Sequence, residues 1–308
     1  MMERFDHFMA QANATYYATQ DPFKNFTTAP ELTQVFGEIL GAWAKTVWQM
    51  IGAPDNIILA EAGPGRGTLM ADALRLWPRN QVHLIETSPR LRAEQATRVP
   101  NAVWHVSLDT LPDGPLILLA NEFLDALPVR QFIRRETGWC ERYVDDGVYR
   151  EQEADIDLPD DPIGSIRERN EATLAFCRKL AARDAVALFL DYGPMQSAPG
   201  SSVQAIRDRA YADPLEFPGQ ADLTAHVDFA AIAASVENVQ GPVKQNVFLT
   251  GLGLFQRSDF LARKYPDKAR QFALAAQRLT APEAMGSLFK AMAICPKGFP
   301  PLPGFEVS

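Results

Sequence analysis

Four short apolar runs, each ending in a polar or glycine-bearing tip, constrain this chain more than any other feature. They are Asn56 to Ala60 (NIILA), Val82 to Ile85 (VHLI), Leu116 to Ala120 (LILLA) and Ala185 to Leu190 (AVALFL). A run without polar alternation reads as a strand buried on both faces. Helical patterns separate the runs, so the order predicts an α/β fold with a parallel sheet covered by helices. In open sheets of this kind ligands bind beyond the carboxyl ends of the strands. The tips EAGPGRG, ETSPR, NEFLD and DYG are therefore where function is expected.

The chain of 308 residues is long enough for one large domain or two smaller ones. One sheet with additions explains the length better than two domains. The expected plan is an N-terminal helical segment over 1–52, a core over 53–308, and insertions at about 194–225 and 252–285. Thr28-Ala29-Pro30-Glu31 fits a capping box, so a helix is expected from about Ala29 to Met50 with Leu32, Val35, Phe36, Ile39, Leu40, Trp43 and Val47 on its core face. Ser88-Pro89 starts a helix after the second tip. A short helix is expected around Ser202 to Tyr211, a third early strand at Val103 to Val106, and two late strands at Pro242 to Leu249 and Ser287 to Ile294.

Glu61-Ala62-Gly63-Pro64-Gly65-Arg66-Gly67-Thr68 joins the first strand to a helix-like pattern. Glycines at such a turn let the backbone approach a ligand where a side chain would collide. Thr68 stands where the nicotinamide fingerprint needs its last glycine, and no GK[ST] follows to make a phosphate loop. An acid followed by glycines at 63, 65 and 67 suits S-adenosylmethionine (SAM), which is cationic and carries no phosphate. Glu61 can pair with its amino-acid moiety, and Glu86, 19 residues beyond Gly67, can accept from its ribose hydroxyls. Another nucleotide-type ligand and a glycine turn without a ligand remain open on pattern alone.

The blocks DPFKNFTTAPELTQVFGEILGAW, EAGPGRGTLMADALR, ETSPRLRAEQ, ANEFLDALPVRQF, DYG and PGQADLTAHVDF resemble, in order, the MidA-like family of SAM-dependent methyltransferases. The resemblance runs from about Phe23 to Lys290 and implies a Rossmann-like, seven-stranded methyltransferase sheet. It also implies protein arginine methylation, because the family's mitochondrial members act on a complex I subunit during assembly. The chain departs from the family at Lys24-Asn25-Phe26, Thr15-Tyr16-Tyr17, Gly200 to Ala205 and Gln245-Asn246. The resemblance further implies that the helix beginning near Thr28, Glu31 and Gln34 folds over the cofactor mouth as a lid.

An arginine acceptor has a guanidinium with a pKa above 12, so carboxylates must grip its planar fork. Asn121-Glu122-Phe123-Leu124-Asp125 looks like the acid-aromatic segment with which arginine methyltransferases do this. Glu122 is the expected clamp, Asn121 an orienting group and Asp125 a second carboxylate or a helix cap, with Asp191 and Tyr192 completing the acceptor wall. Ser107 and Leu108 sit where the adenine would be covered. His226 and Asp228 are two residues apart, which on a helix points them about 200° from each other, so structural roles are favoured, with Thr224 as a cap.

Thirty Lys and Arg against 38 Asp and Glu give a net charge of −8, which disfavours nucleic acid and anionic membrane surfaces. Cys140, Cys177 and Cys295 are odd in number and far apart, so neither disulfides nor a metal site is expected. No apolar run reaches the ~20 residues of a membrane span, and the N-terminus lacks signal or transit character, so a cytoplasmic protein is expected. The oligomeric state is left open. The expected partner is a protein presenting an arginine; a small amine or another side chain as acceptor, and a SAM-binding assembly factor without turnover, are the competing readings.

Overall fold

The computed structural model describes residues 2–24 and 27–306; Asn25 and Phe26, part of the expected family departure, lie outside the described residues. The chain opens with β1 (Glu3–Arg4), α1 (Phe5–Thr19), α2 (Ala29–Leu32) and α3 (Gln34–Met50). An alternating unit follows: β2 (Ile58–Ala62), α4 (Thr68–Leu76), β3 (Val82–Ile85), α5 (Pro89–Arg98), β4 (Ala102–His105) and β5 (Leu116–Asn121). Next come β6 (Arg130–Arg135), β7 (Gly138–Asp145), β8 (Val148–Glu153), β9 (Ile166–Arg169), α6 (Glu171–Ala181) and β10 (Ala185–Tyr192). The last third holds β11 (Gln204–Arg207), β12 (Ala210–Ala212), β13 (Asp222–Thr224), α7 (Phe229–Ser235), β14 (Val239–Lys244), α8 (Gln245–Gly251), α9 (Leu254–Lys264), α10 (Ala269–Thr280) and β15 (Phe289–Ile294).

The main sheet has seven strands in the order β14-β15-β10-β5-β2-β3-β4. Strands β4, β3, β2, β5 and β10 run parallel, and β15 lies antiparallel to both β10 and β14. The expected seven-stranded Rossmann-like sheet is thus present. Its apolar runs split between two cores by the two-residue period of a strand. Leu59, Ile117, Leu119, Val186 and Leu188 pack under α3, α4 and the α8–α10 group. Ile58, Ala60, Leu116, Leu118 and Phe189 face α6 and α7 instead.

A second, antiparallel sheet of β1, β6, β7, β8 and β9 and a three-stranded sheet of β11, β12 and β13 were not expected from sequence. Their third core joins Phe5, Met9 and Ala12 of α1 to Val144, Ala205 and Leu223. The expected helix at Ser202 to Tyr211 is instead the β11–β12 hairpin. Asp208 and Arg209 have φ of 50° and 65°, the two left-handed residues of a tight hairpin turn, between the paired Arg207 and Ala210. The late strand expected at Pro242 to Leu249 ends at Lys244, and α8 begins. There Phe248 and Leu249 are both buried, as adjacent positions on a helix can be, whereas a strand would point one of them away.

The expected helix from Ala29 is broken at Thr33. Thr33, not Thr28, caps α3 by accepting from the Val35 N–H at 3.3 Å, and the Thr28 side chain makes no cap bond. Ser88 caps α5 as expected, accepting from the Leu91 N–H at 3.3 Å. Among the described residues no helix is long and apolar enough to cross a membrane.

Candidate active site

The parallel strands end level with one another, and their tips open into a single cavity of about 770 Å³. Volumes of this order are typical of small-molecule sites. Its lining runs from the glycine loop, past Glu86, Ser107 and Leu108, to Asn121, Glu122, Asp125 and Tyr192. Asp191 is not part of that lining.

At the cofactor end, Gly63, Gly65 and Gly67 have φ of 64°, 53° and 79°, a region that favours glycine. A Cβ on Gly63 would lie 2.8 Å from Phe123 Cδ2, and one on Gly65 2.7 Å from Phe23 Cζ. The loop is therefore clasped between two aromatic rings. Phe23 belongs to the turn Pro22–Lys24, and Arg66 fixes that turn by stacking over the Phe23 ring at 4.6 Å and pairing with Asp21 at 2.8 Å. This turn, rather than the long helix, lies against the glycine loop. Of the proposed lid helix, α3 is core-packed, while Thr28 and Glu31 reach the cavity wall and Glu31 accepts a hydrogen bond from the Thr68 hydroxyl.

Glu61 is 2% exposed, and among the described residues its Oε2 has no hydrogen-bond partner. Burial pushes its carboxyl up to about 8. Glu86 accepts from the Ser88 N–H at 2.7 Å and from Gln95 at 3.2 Å, and burial raises it as well. Gln95, which sequence reasoning missed, is fully buried and also donates to the Gly65 carbonyl at 2.7 Å. It couples Glu86 to the glycine loop. Its signal was a glutamine one turn from Leu91 and Val99, on the buried face of a mostly polar helix.

At the other end β5 stops at Asn121, and Glu122 turns the chain with φ 50°, a strained value for a non-glycine residue. Asp191 holds that turn: its Oδ2 accepts from the N–H groups of Phe123, Leu124 and Asp125 at 3.1, 2.9 and 3.3 Å, and its Oδ1 from the Tyr192 N–H at 2.9 Å. A carboxylate so engaged is a backbone anchor, and the strand-tip position that suggested an acceptor contact misleads. Glu122 Oε1 accepts from the Asn121 amide at 3.0 Å and the Ala29 N–H at 3.3 Å. Asp125 Oδ1 and Asn121 Oδ1 are buried and have no hydrogen-bond partner among the described residues. Burial raises Glu122 and Asp125, and the neighbouring acids Asp191, Glu122 and Asp222 push Asp125 further. Among the described residues none of Glu122, Asp125 and Asp222 forms an ion pair, whereas Arg130, Arg135 and Arg167 elsewhere all do.

The far wall comes from α1 and β13. Asn13 donates to the carbonyls of Ala126 and Leu223 at 3.0 and 2.8 Å, lacing both segments together, and Tyr17 donates to Asp222 Oδ1 at 2.7 Å. The Tyr192 hydroxyl donates to Thr224 Oγ1 at 2.7 Å. Thr224 is thus a strand residue rather than a cap. Asp228 is the cap of α7, accepting from the Ala231 N–H at 2.9 Å, and neither it nor the exposed His226 lines the cavity.

Residues 39–247 match the family described as "Putative S-adenosyl-L-methionine-dependent methyltransferase". The chain belongs to this family. This methyltransferase is 31% identical to the Drosophila melanogaster "Protein arginine methyltransferase NDUFAF7 homolog, mitochondrial", over 94% of the chain and 79% of the relative. It is also 31% identical to the Danio rerio "Protein arginine methyltransferase NDUFAF7, mitochondrial", over 91% of the chain and 79% of that protein. A Burkholderia thailandensis protein crystallised with S-adenosyl-homocysteine shares the fold, with a TM-score of 0.83 and 24% identity over 100% of this chain and 89% of that one. A native crystal structure from the same organism gives 0.82 and 25%, with the same coverage.

The residues present fit the SAM of this family. The cradle is glycine where a Cβ would collide, and the unpartnered buried atom at its edge is a carboxyl oxygen, which suits an ammonium. Glu61 and Glu86, both in the cavity lining, are the acids that would hold the cofactor's amino-acid and ribose ends.

Proposed function

We propose that this methyltransferase modifies an arginine side chain of a protein, and that a respiratory-complex subunit is the partner. The observation that carries the reading is the chemistry of the acceptor end. Among the described residues the buried carboxyls there form no ion pair and lack a full set of hydrogen-bond donors, and the atoms left without a partner, Asp125 Oδ1 and Asn121 Oδ1, are both acceptors. Such a set calls for a ligand that is cationic and rich in N–H groups, and a guanidinium offers five in one plane. The names of the relatives support the same class, and the family resemblance supports the respiratory partner.

Bound at the glycine loop, the cofactor supplies an electrophilic methyl group. The chain's own part is positioning. Glu122 and Asp125 take the edges of the fork, Asn121 orients it, and Phe123 and Phe289 in the lining exclude water. Asp191 holds the turn that carries the two acids.

The test is to incubate the protein with methyl-labelled SAM and a host lysate and to locate the label by mass spectrometry. Label on an arginine of a respiratory-complex subunit is expected; label on lysine, or only on a metabolite, overturns the reading. Glu122→Gln should bind SAM nearly as well as the wild type, by isothermal titration, and lose transfer by about 100-fold or more. Transfer at the wild-type rate would remove Glu122 from the clamp.

A further inference from the structure

The ADLTAHVDF block carries two polar residues that lie outside the cavity, His226 and Asp228, and one carboxyl inside it, Asp222. Asp222 opens β13 and is 2% exposed. It reaches the cavity from a different sheet than Glu122 and Asp125, which stand on the turn after β5.

Methylating a guanidinium creates a proton to be disposed of. The nitrogen–carbon bond forms as the carbon–sulfur bond breaks, and the electron pair of that bond stays on sulfur as a neutral thioether. The acceptor, already cationic, would become a dication unless an N–H proton leaves. A base at the site is therefore needed, and the lining carboxyls are not equivalent in that role. Glu122 Oε1 already accepts two hydrogen bonds, and Asp125 shares the guanidinium-facing turn with it. Asp222 comes from β13 instead, and among the described residues its carboxylate accepts one side-chain hydrogen bond, from Tyr17.

We propose that Asp222 accepts the proton released from the guanidinium nitrogen during methyl transfer, with Tyr17 of α1 holding its carboxylate in place. The proposal rests on the arginine reading above. The proton passes from nitrogen to an Asp222 oxygen and then to solvent, leaving a monocationic methylguanidinium. Burial raises the Asp222 carboxyl to about 7, against the Tyr17 hydrogen bond that favours the ionised form and with the Glu122 charge adding to the rise. That value suits a base near neutral pH. The groups that face it are Tyr17 from α1, Glu122 and Asp125 from the turn after β5, and Tyr192 of β10 through Thr224.

The experiment follows label transfer from methyl-labelled SAM into the proteins of a host lysate, as a function of pH. The wild-type rate should rise with pH across the neutral range as Asp222 ionises. Asp222→Asn keeps the shape and an acceptor for Tyr17, and should lose about 100-fold or more of the rate at neutral pH while binding S-adenosyl-homocysteine as the wild type does. Tyr17→Phe removes the donor that favours the carboxylate, so it should move the rise to higher pH, which a merely structural Asp222 would not do. Asp222→Asn at the wild-type rate, or an unmoved profile in Tyr17→Phe, overturns the proposal. If Asp222→Asn fails to fold, the Tyr17→Phe profile decides. Label on arginine with an unimpaired Asp222→Asn variant removes only Asp222, whereas wild-type label on lysine removes the arginine reading whatever the variant does.

Discussion

At Gly65 the backbone conformation and the packing demand the same residue. Its φ of 53° is expensive for a side-chain-bearing residue, and a Cβ there meets the Phe23 ring at 2.7 Å. Gly65→Val should therefore lift the Pro22–Lys24 turn from the loop and weaken S-adenosyl-homocysteine binding, by isothermal titration, by about tenfold or more. Unchanged affinity would mean that the loop holds no ligand. Glu86→Ala should weaken binding comparably, since it leaves the Ser88 N–H and Gln95 without their acceptor. The positive φ at Gly63, Gly65 and Gly67 and the strand-tip place of Glu86 were legible because strand ends and left-handed turns impose local requirements, although Gly67 lies outside the cavity lining. Asp191 was misread because a strand-end acid does not announce where its oxygens point, and three amides of another segment claim it. The Tyr17–Asp222 contact joins residues 205 apart, so no spacing could reveal it.

Elements divide along the same line. The both-face-buried strands were legible since their apolar runs have no polar alternation, as in Leu116–Asn121 and Ala185–Tyr192. The antiparallel strands Arg130–Arg135 and Val148–Glu153 are half charged, the first partly buried and the second almost wholly exposed, and carry no such signal. The start of α3 offers a contrast that can be measured. Thr28 has the sequence of a cap, yet Glu31 is drawn to Thr68 and the Ala29 N–H to Glu122. The helix is capped at Thr33 instead. Thr33→Ala should cost about 1 kcal/mol in urea unfolding, and Thr28→Ala less than about 0.5 kcal/mol. Equal losses would return the cap to Thr28.

For the whole molecule, the net charge of −8 matters less than where part of it is hidden. Glu61 and Asp222, raised by burial to about 8 and about 7, retain protons in the folded chain at pH values where an unfolded carboxyl has released them. Glu122 and Asp125 are raised in the same direction by the same cause. Stability from such groups is fully present below the unfolded value near 4.5 and is lost as pH rises through the folded value. Glu61 alone spans roughly 5 kcal/mol over that range, at about 1.4 kcal/mol per unit. The unfolding midpoint of the ligand-free protein should therefore fall as pH is raised from about 5 to 8. Glu61→Gln, which cannot ionise, should flatten the slope, and a flat wild-type profile would show that the acids are charged at no cost. A ligand that brings an ammonium to Glu61 reverses the sign: the ammonium stabilises ionised Glu61, so S-adenosyl-homocysteine should bind more tightly as pH rises through the same window. Measured together, a falling midpoint without ligand and a rising affinity with it would assign both effects to the buried acids, because surface carboxylates ionise below this range.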